Sequence, residues 1–207
     1  VYAILDAGFI CHVGYAIDGH PVVTPTSYWR EGDHVYFHGS SASRMLRKLG
    51  REGVRCCLTV THTDGLVLAR SAFHHSVNYR SVMIFGTAHP IAGAEKLAAL
   101  RAFVERLFPG RWDTLRPVTS QELRATTVLR VRLEEVSAKV RTGPPKDDEP
   151  DYELPIWAGV IPLTLERGSA QPDPRLLPGL DLPAHVQSPI AAIPSRLSSS
   201  DQKEAGR

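Results

Sequence analysis

In the stretch RSAFHHSVNYRSVMIFGTAH, residues 70–89, two adjacent histidines, an Asn-Tyr-Arg triplet and three serines stand between runs that read as β-strands. Imidazole titrates near neutral pH, so His74 and His75 are candidate proton donors toward a substrate. The same rings can ligate a metal or a haem iron. Zinc sites take three or four ligands, with histidines four apart on a helix or with Cys-x-x-Cys partners. Here the two histidines are adjacent, the other seven are scattered, and no cysteine or carboxylate cluster stands beside them. A dedicated metal site is therefore not expected. Asn78 can donate and accept, Tyr79 can stack, Arg80 brings charge and Ser81 opens a strand. That set fits a satisfied polar turn or one wall of a ligand site.

A second cluster lies in HGSSASRML, where Gly39, Ser40, Ser41 and Ser43 separate a strand from a helix and Arg44 stands on the first turn. Small residues expose backbone N–H groups, hydroxyls donate, and a guanidinium can grip two phosphate oxygens. The pattern suits one phosphate and lacks both the GxxxxGK[ST] and the GxGxxG of nucleotide loops. A plain helix cap with a surface arginine is the competing reading. No serine sits in a GxSxG elbow. Cys56 and Cys57 fall within a strand pattern, where neighbours point to opposite faces and a reactive thiolate is unusual.

The elements that must position these groups are mostly short strands. Asp18-Gly19 and Thr63-Asp64-Gly65 carry hairpin chemistry, and residues 30–33 form another turn. Pro21 and Pro25 cannot donate to a ladder and place their strand at an edge or a bulge. Met45, Leu46 and Leu49 recur at helical spacing after the serines, which are suited to capping. Residues 95–108 are the clearest helix, with Leu97, Leu100, Phe103, Val104 and Leu107 on one face and Pro109-Gly110 ending it. Thr119 and Glu122 have capping-box spacing. TVLRVRLEEVSAKV alternates as a single strand with one wet face. About seven strands with few helices indicate an antiparallel barrel with helical insertions. Residues 166–207 read as a Pro- and Ser-rich tail, extended or disordered.

Twenty-four Lys and Arg against 22 Asp and Glu leave a charge of +2, so no basic stripe argues for nucleic acid. No apolar run reaches the ~20 residues that span a bilayer. Cys11, Cys56 and Cys57 offer no disulfide framework and read as buried thiols in a reducing cytoplasm. The opening VYAILDAGFICHVGY has no initiator Met and starts in mid-pattern, which is read as a trimmed N-terminus.

Taken in order, residues 4–46, DGLVLARSAFHHSVNYRSVMIFG, SAKVRTGPP and WAGVIPL closely resemble the pyridoxamine 5′-phosphate oxidase-like family, in its FMN-binding split-barrel branch. The resemblance runs from about Ile4 to Leu163. It implies a mainly β domain over residues 1–165, a six-stranded antiparallel split barrel with helical insertions. It further implies a cytoplasmic homodimer holding FMN at its interface and acting as an oxidoreductase on a small molecule. The FMN phosphate would fall on His38, Gly39, Ser40, Ser43 and Arg44, and the Pro25-Thr26 backbone would lie along the isoalloxazine. Asn78, Tyr79, Arg80 and Ser81 correspond to a strand opening near the flavin, and Trp157 to a flavin-contacting aromatic. The sequence departs from the true oxidases in having no Lys or Arg between Val22 and Trp29 and no C-terminal Arg-x-His. The resemblance therefore carries the flavin site without carrying pyridoxamine phosphate oxidation. Because one barrel hosts several ligands, a non-catalytic flavin sensor and a haem protein using His74 or His75 stand as alternatives.

Overall fold

The computed structural model describes residues 1–51 and 54–187. A short helix α1 (Tyr2–Asp6) leads into β1 (Ile10–Ile17), β2 (His20–Glu31), β3 (His34–Ser40), α2 (Arg44–Leu49) and β4 (Arg55–Leu68). Then come β5 (Ser76–Thr87), β6 (His89–Ile91), α3 (Gly93–Leu107), α4 (Ser120–Ala125), β7 (Thr126–Arg132), β8 (Glu135–Arg141), β9 (Gly159–Pro162) and α5 (Ala184–Gln187). The strands pair antiparallel in the order β6-β7-β3-β2-β1-β4-β5-β8, with β9 added to β4. The split-barrel expectation with helical insertions holds, with nine strands among the described residues instead of six. Among the described residues no helix is long and apolar enough to cross a membrane.

The β1–β2 hairpin forms where its turn chemistry lies: Asp18 and Gly19 take φ of 51° and 82°, the left-handed pair a two-residue turn requires. β2 then changes partners. Residues 20–27 pair with β1, and Tyr28–Glu31 pair with β3. One strand thus serves two sub-sheets, and this opens the barrel. Pro21 and Pro25 sit on the half that pairs with β1 alone, where a missing N–H costs no ladder bond. The sub-sheets meet again where a Cβ on Gly86 of β5 would lie 2.8 Å from Val131 Cγ1 of β7.

Alternation builds the core. Cys11, Val13, Tyr15 and Ile17 of β1 pack with Leu58 and Val60, Val82 and Ile84, and Leu129 and Val131, each large aliphatic contributing about 1.5–3 kcal/mol by leaving water. A second cluster of Trp29, Ile91, Ala99 and Val128, with Phe103 beside it, lies under α3. The end of α1 is held by side chains that satisfy its free carbonyls. Tyr28 Oη donates to Leu5 O at 2.5 Å, His62 Nε2 to Ile4 O at 2.9 Å and Arg106 to Asp6 O at 2.7 Å, while Arg30 grips the Asp6 carboxylate.

Three expectations are corrected. Thr63-Asp64-Gly65 is no hairpin: β4 runs straight through, and Asp64 is the extra residue of a β-bulge between Tyr79 and Asn78. The bulge turns its carboxylate toward Arg80, and Gly65 admits β9, whose Val160 and Ile161 would stand 3.0–3.1 Å from an added Cβ. TVLRVRLEEVSAKV is two strands, since β7 pairs with β3 and β8 with β5. The serines do not cap α2 through their side chains: Ser43 holds the N-cap position without a capping bond, and Ser40 Oγ accepts from Ala42 N–H. The capping box of Thr119 and Glu122 is present in both directions, and α3 starts at Gly93. The tail carries α5 and lays the Arg167 guanidinium 5.4 Å from the Phe108 ring centre. Residues 188–207 of the expected tail lie outside the described residues.

Gly65→Ala is expected to cost about 1–3 kcal/mol by overpacking and to expose β9 selectively. Hydrogen exchange at Val160 and Ile161 would rise ahead of that in the β4–β5 ladder. Unchanged protection of β9 would show that Gly65 is not needed for its approach.

Candidate functional site

β5 sorts the Asn78–Ser81 cluster onto two faces. Asn78 and Arg80 turn inward and are buried. Asn78 Nδ2 donates to Gly143 O at 3.0 Å, and its Oδ1 accepts from Arg141 Nη1 at 2.5 Å. Arg80 grips Asp64 through two parallel bonds of 2.8 Å. This pair lies at a cleft of about 260 Å3 lined also by Phe9, Ile10, His62 and Leu165. Tyr79 and Ser81 point outward, paired across to Thr63 and Thr61. With Thr59 they make a row of hydroxyls on the outer face of β4 and β5. Exposed Ile10, Val23, Leu66, Val77, Met83 and Ile161 lie on the same sub-sheet. The threonine row was legible as period-two alternation in LTVTHT.

The other cluster stands apart, with β2, β1 and β4 between β3 and β5 in the strand path. Arg44 is exposed and, among the described residues, makes no ion pair, while the Ser43 hydroxyl is not spent on capping. Both side chains are therefore available to an anion. The Gly39 Cα approaches Leu46 so closely that a Cβ would meet its Cδ1 at 3.0 Å. Thr26 Oγ1 donates to His38 O at 3.4 Å, and Pro25 is exposed opposite His12. The His38 ring turns away from the serines to pack 4.7 Å from Phe103 and edge-on to Trp29. Burial pushes its pKa below the ordinary histidine value. Trp157 is 67 % exposed, its ring lying over Gly159.

His74 and His75 occupy the link from β4 to β5, on a single 3-10 turn at Ala72–His74. His74 Nε2 lies 3.5 Å from Asp148 Oδ2. His75 is exposed and its Nδ1 lies 2.9 Å from Ser71 O. A carbonyl can only accept, so Nδ1 carries the proton, and in the neutral ring Nε2 presents a lone pair to solvent. A metal-binding imidazole has this arrangement, one nitrogen fixed by a backbone acceptor and the other free. Phe73, 90 % exposed, stands edge-on to His74. Asp147, from the segment between β8 and β9, receives the Arg70 backbone N–H and guanidinium at 2.9 and 3.0 Å. Asp64 and Asp147 were missed by sequence reasoning, since their partners lie far along the chain.

Among the described residues no three His, Cys, Asp or Glu side chains converge as a metal centre. Cys11 and Cys56 are buried free thiols, pushed up to about 12 and about 11 chiefly by desolvation. Neither is a nucleophile at neutral pH.

A family model described as pyridoxamine 5′-phosphate oxidase matches residues 1–140. A comparison with curated proteins gives no match. Among solved structures, the flavocytochrome Anf3 from Azotobacter vinelandii is 50% identical, with a TM-score of 0.85, covering 90% of this chain and 86% of that one. The FAD and heme binding protein from Mycobacterium smegmatis is 38% identical, with a TM-score of 0.85, covering 90% and 92%. A strand shared by two sub-sheets, the antiparallel order around it and a family match over more than half of the sequence agree, and the chain belongs to the pyridoxamine 5′-phosphate oxidase family.

Proposed function

We propose that this protein is a flavin- and haem-binding redox protein, an oxidoreductase that works as a cytoplasmic homodimer on a small-molecule partner. The observation that carries the reading is the 50% identity, over 90% of the chain, to a flavocytochrome. The residues present fit both groups. Arg44 and Ser43 offer an unspent guanidinium and hydroxyl to a flavin phosphate. His75 offers an oriented, exposed Nε2 to iron. When bound, the flavin would exchange one or two electrons and the haem one. The chain holds the phosphate, fixes the ring plane and aims the imidazole.

Two observations bear on the identity and placement of the flavin. FMN, implied by the family resemblance, is the smaller form of the same group, and the likeness to an FAD and heme binding protein favours the dinucleotide. The phosphate cluster and the β5 cluster have three strands between them along the pairing path of one chain, and a homodimer would let one flavin draw on the two clusters from two copies. The exposed apolar side chains around the threonine row are the surface a second copy would cover. In this arrangement Tyr79 and Ser81 face the flavin, while Asn78 and Arg80 support it from within.

The absorption spectrum of the purified protein tests the reading. Flavin bands together with a Soret band are expected, and acid extraction identifies the nucleotide. Flavin without haem uptake would leave the flavin-sensor alternative, and a colourless protein that binds neither on titration would end both. Arg44→Ala is expected to weaken flavin binding by about 1–3 kcal/mol, the worth of a charged hydrogen bond, measured by fluorescence titration. Unchanged affinity would remove Arg44 from the site.

A further inference from the structure

The turn that carries His75 is held by a residue far along the chain. Asp147 is fully shielded from solvent in its side chain. Its Oδ1 accepts the Arg70 backbone N–H at 2.9 Å and its Oδ2 accepts Arg70 Nη1 at 3.0 Å, and the neighbouring Ser71 backbone N–H also favours the charged carboxylate. Burial opposes the charge, yet these donors hold the carboxyl below its ordinary range. The Arg70 backbone and side chain are thereby pinned directly before Ser71, which is extended at φ −112° and ψ 151°. The next carbonyl, Ser71 O, accepts from His75 Nδ1 at 2.9 Å and from the His74 N–H at 3.3 Å. The Arg70 guanidinium lies 4.8 Å from the Tyr152 ring centre, so the same segment supports the clamp twice.

We infer that Asp147 and Arg70 are positioning residues for His75: the clamp fixes the Ser71 carbonyl that aims the imidazole at iron. This rests on the haem reading above and deepens it. The segment between β8 and β9, which touches neither histidine ring through Asp147, thereby sets how well His75 binds. The arrangement is economical for an exposed loop. A surface 3-10 turn has little packing to hold an imidazole in one orientation, and fixing both ends of its hydrogen bond replaces that packing.

Hemin titration of the purified full-length chain tests this, with the Soret band and flavin content read in the same samples. Asp147→Asn sets an amide against a donor and is expected to weaken haem binding about 10–100-fold. The visible bands should also change in shape, with flavin content unchanged. In the haem-free protein the ¹⁵N resonances of His75 should lose the single Nδ1–H tautomer. Equal haem affinity and an unchanged tautomer in Asp147→Asn would overturn the inference while the haem reading stands. A wild-type chain that takes up no haem would overturn both. If Asp147→Asn does not fold, Tyr152→Ala removes only the ring beneath the guanidinium from a half-exposed position. It should weaken haem binding about two- to fivefold, and unchanged affinity would overturn the inference.

Discussion

His75→Ala is expected to abolish haem incorporation while flavin content stays at the wild-type level. The ring stands in solvent, so its removal leaves no cavity, and a lost Soret band reports lost ligation and not a lost fold. His74→Ala provides the contrast. Its Nε2 is turned toward Asp148 at 3.5 Å, whereas His75 Nε2 is left open by the bond from Nδ1 to Ser71 O. The His74 variant should therefore keep most of its haem. Haem retention in His75→Ala, with loss in His74→Ala, would reverse the assignment. Retention in both would place the iron elsewhere. As proton donors toward a substrate, the two rings would lower turnover without touching the Soret band, so one pair of spectra separates ligation from acid catalysis.

Local chemistry made part of the fold legible. Asp18-Gly19 needs only its own backbone to close a hairpin, and Thr119 with Glu122 needs only one helical turn to complete a capping box. Both are where the sequence places them. Asp64 shows the opposite case. Thr63-Asp64-Gly65 has turn composition, but the strand continues because Arg80, sixteen residues away, captures the carboxylate and β9 occupies the space that Gly65 leaves. Tertiary pairing overrides turn preference there, as it often does for strand propensity. The family resemblance puts His38 beside the flavin phosphate, yet strand alternation puts its ring on the α3 face, against Phe103. The adjacent histidines were visible as chemistry. Their inequality was not, since it depends on Asp147 and on a carbonyl whose direction no spacing encodes.

Arg80→Ala is expected to destabilise the protein by about 3–5 kcal/mol, the cost of leaving one member of a buried ion pair without its partner. The Arg80 side chain is 5 % exposed and that of Asp64 17 %, and two parallel bonds of 2.8 Å join them. A chain of this size has a total stability on the order of 5–15 kcal/mol, so the urea midpoint should fall far, or the variant should express poorly. The family resemblance puts Arg80 beside the flavin, and the two roles differ in what they predict. A flavin ligand would lose cofactor affinity while the flavin-free chain unfolds at its usual midpoint. A structural arginine would lower the midpoint of the flavin-free chain itself. The double variant Arg80→Met/Asp64→Leu sharpens the distinction, because replacing both charges by apolar groups removes the desolvation penalty along with the attraction. It should recover much of the stability lost in Arg80→Ala. Recovery of the midpoint without recovery of flavin binding would assign Arg80 both tasks, while an undisturbed midpoint in Arg80→Ala would show that the bulge at Asp64 is held by the approach of β9 to Gly65 alone.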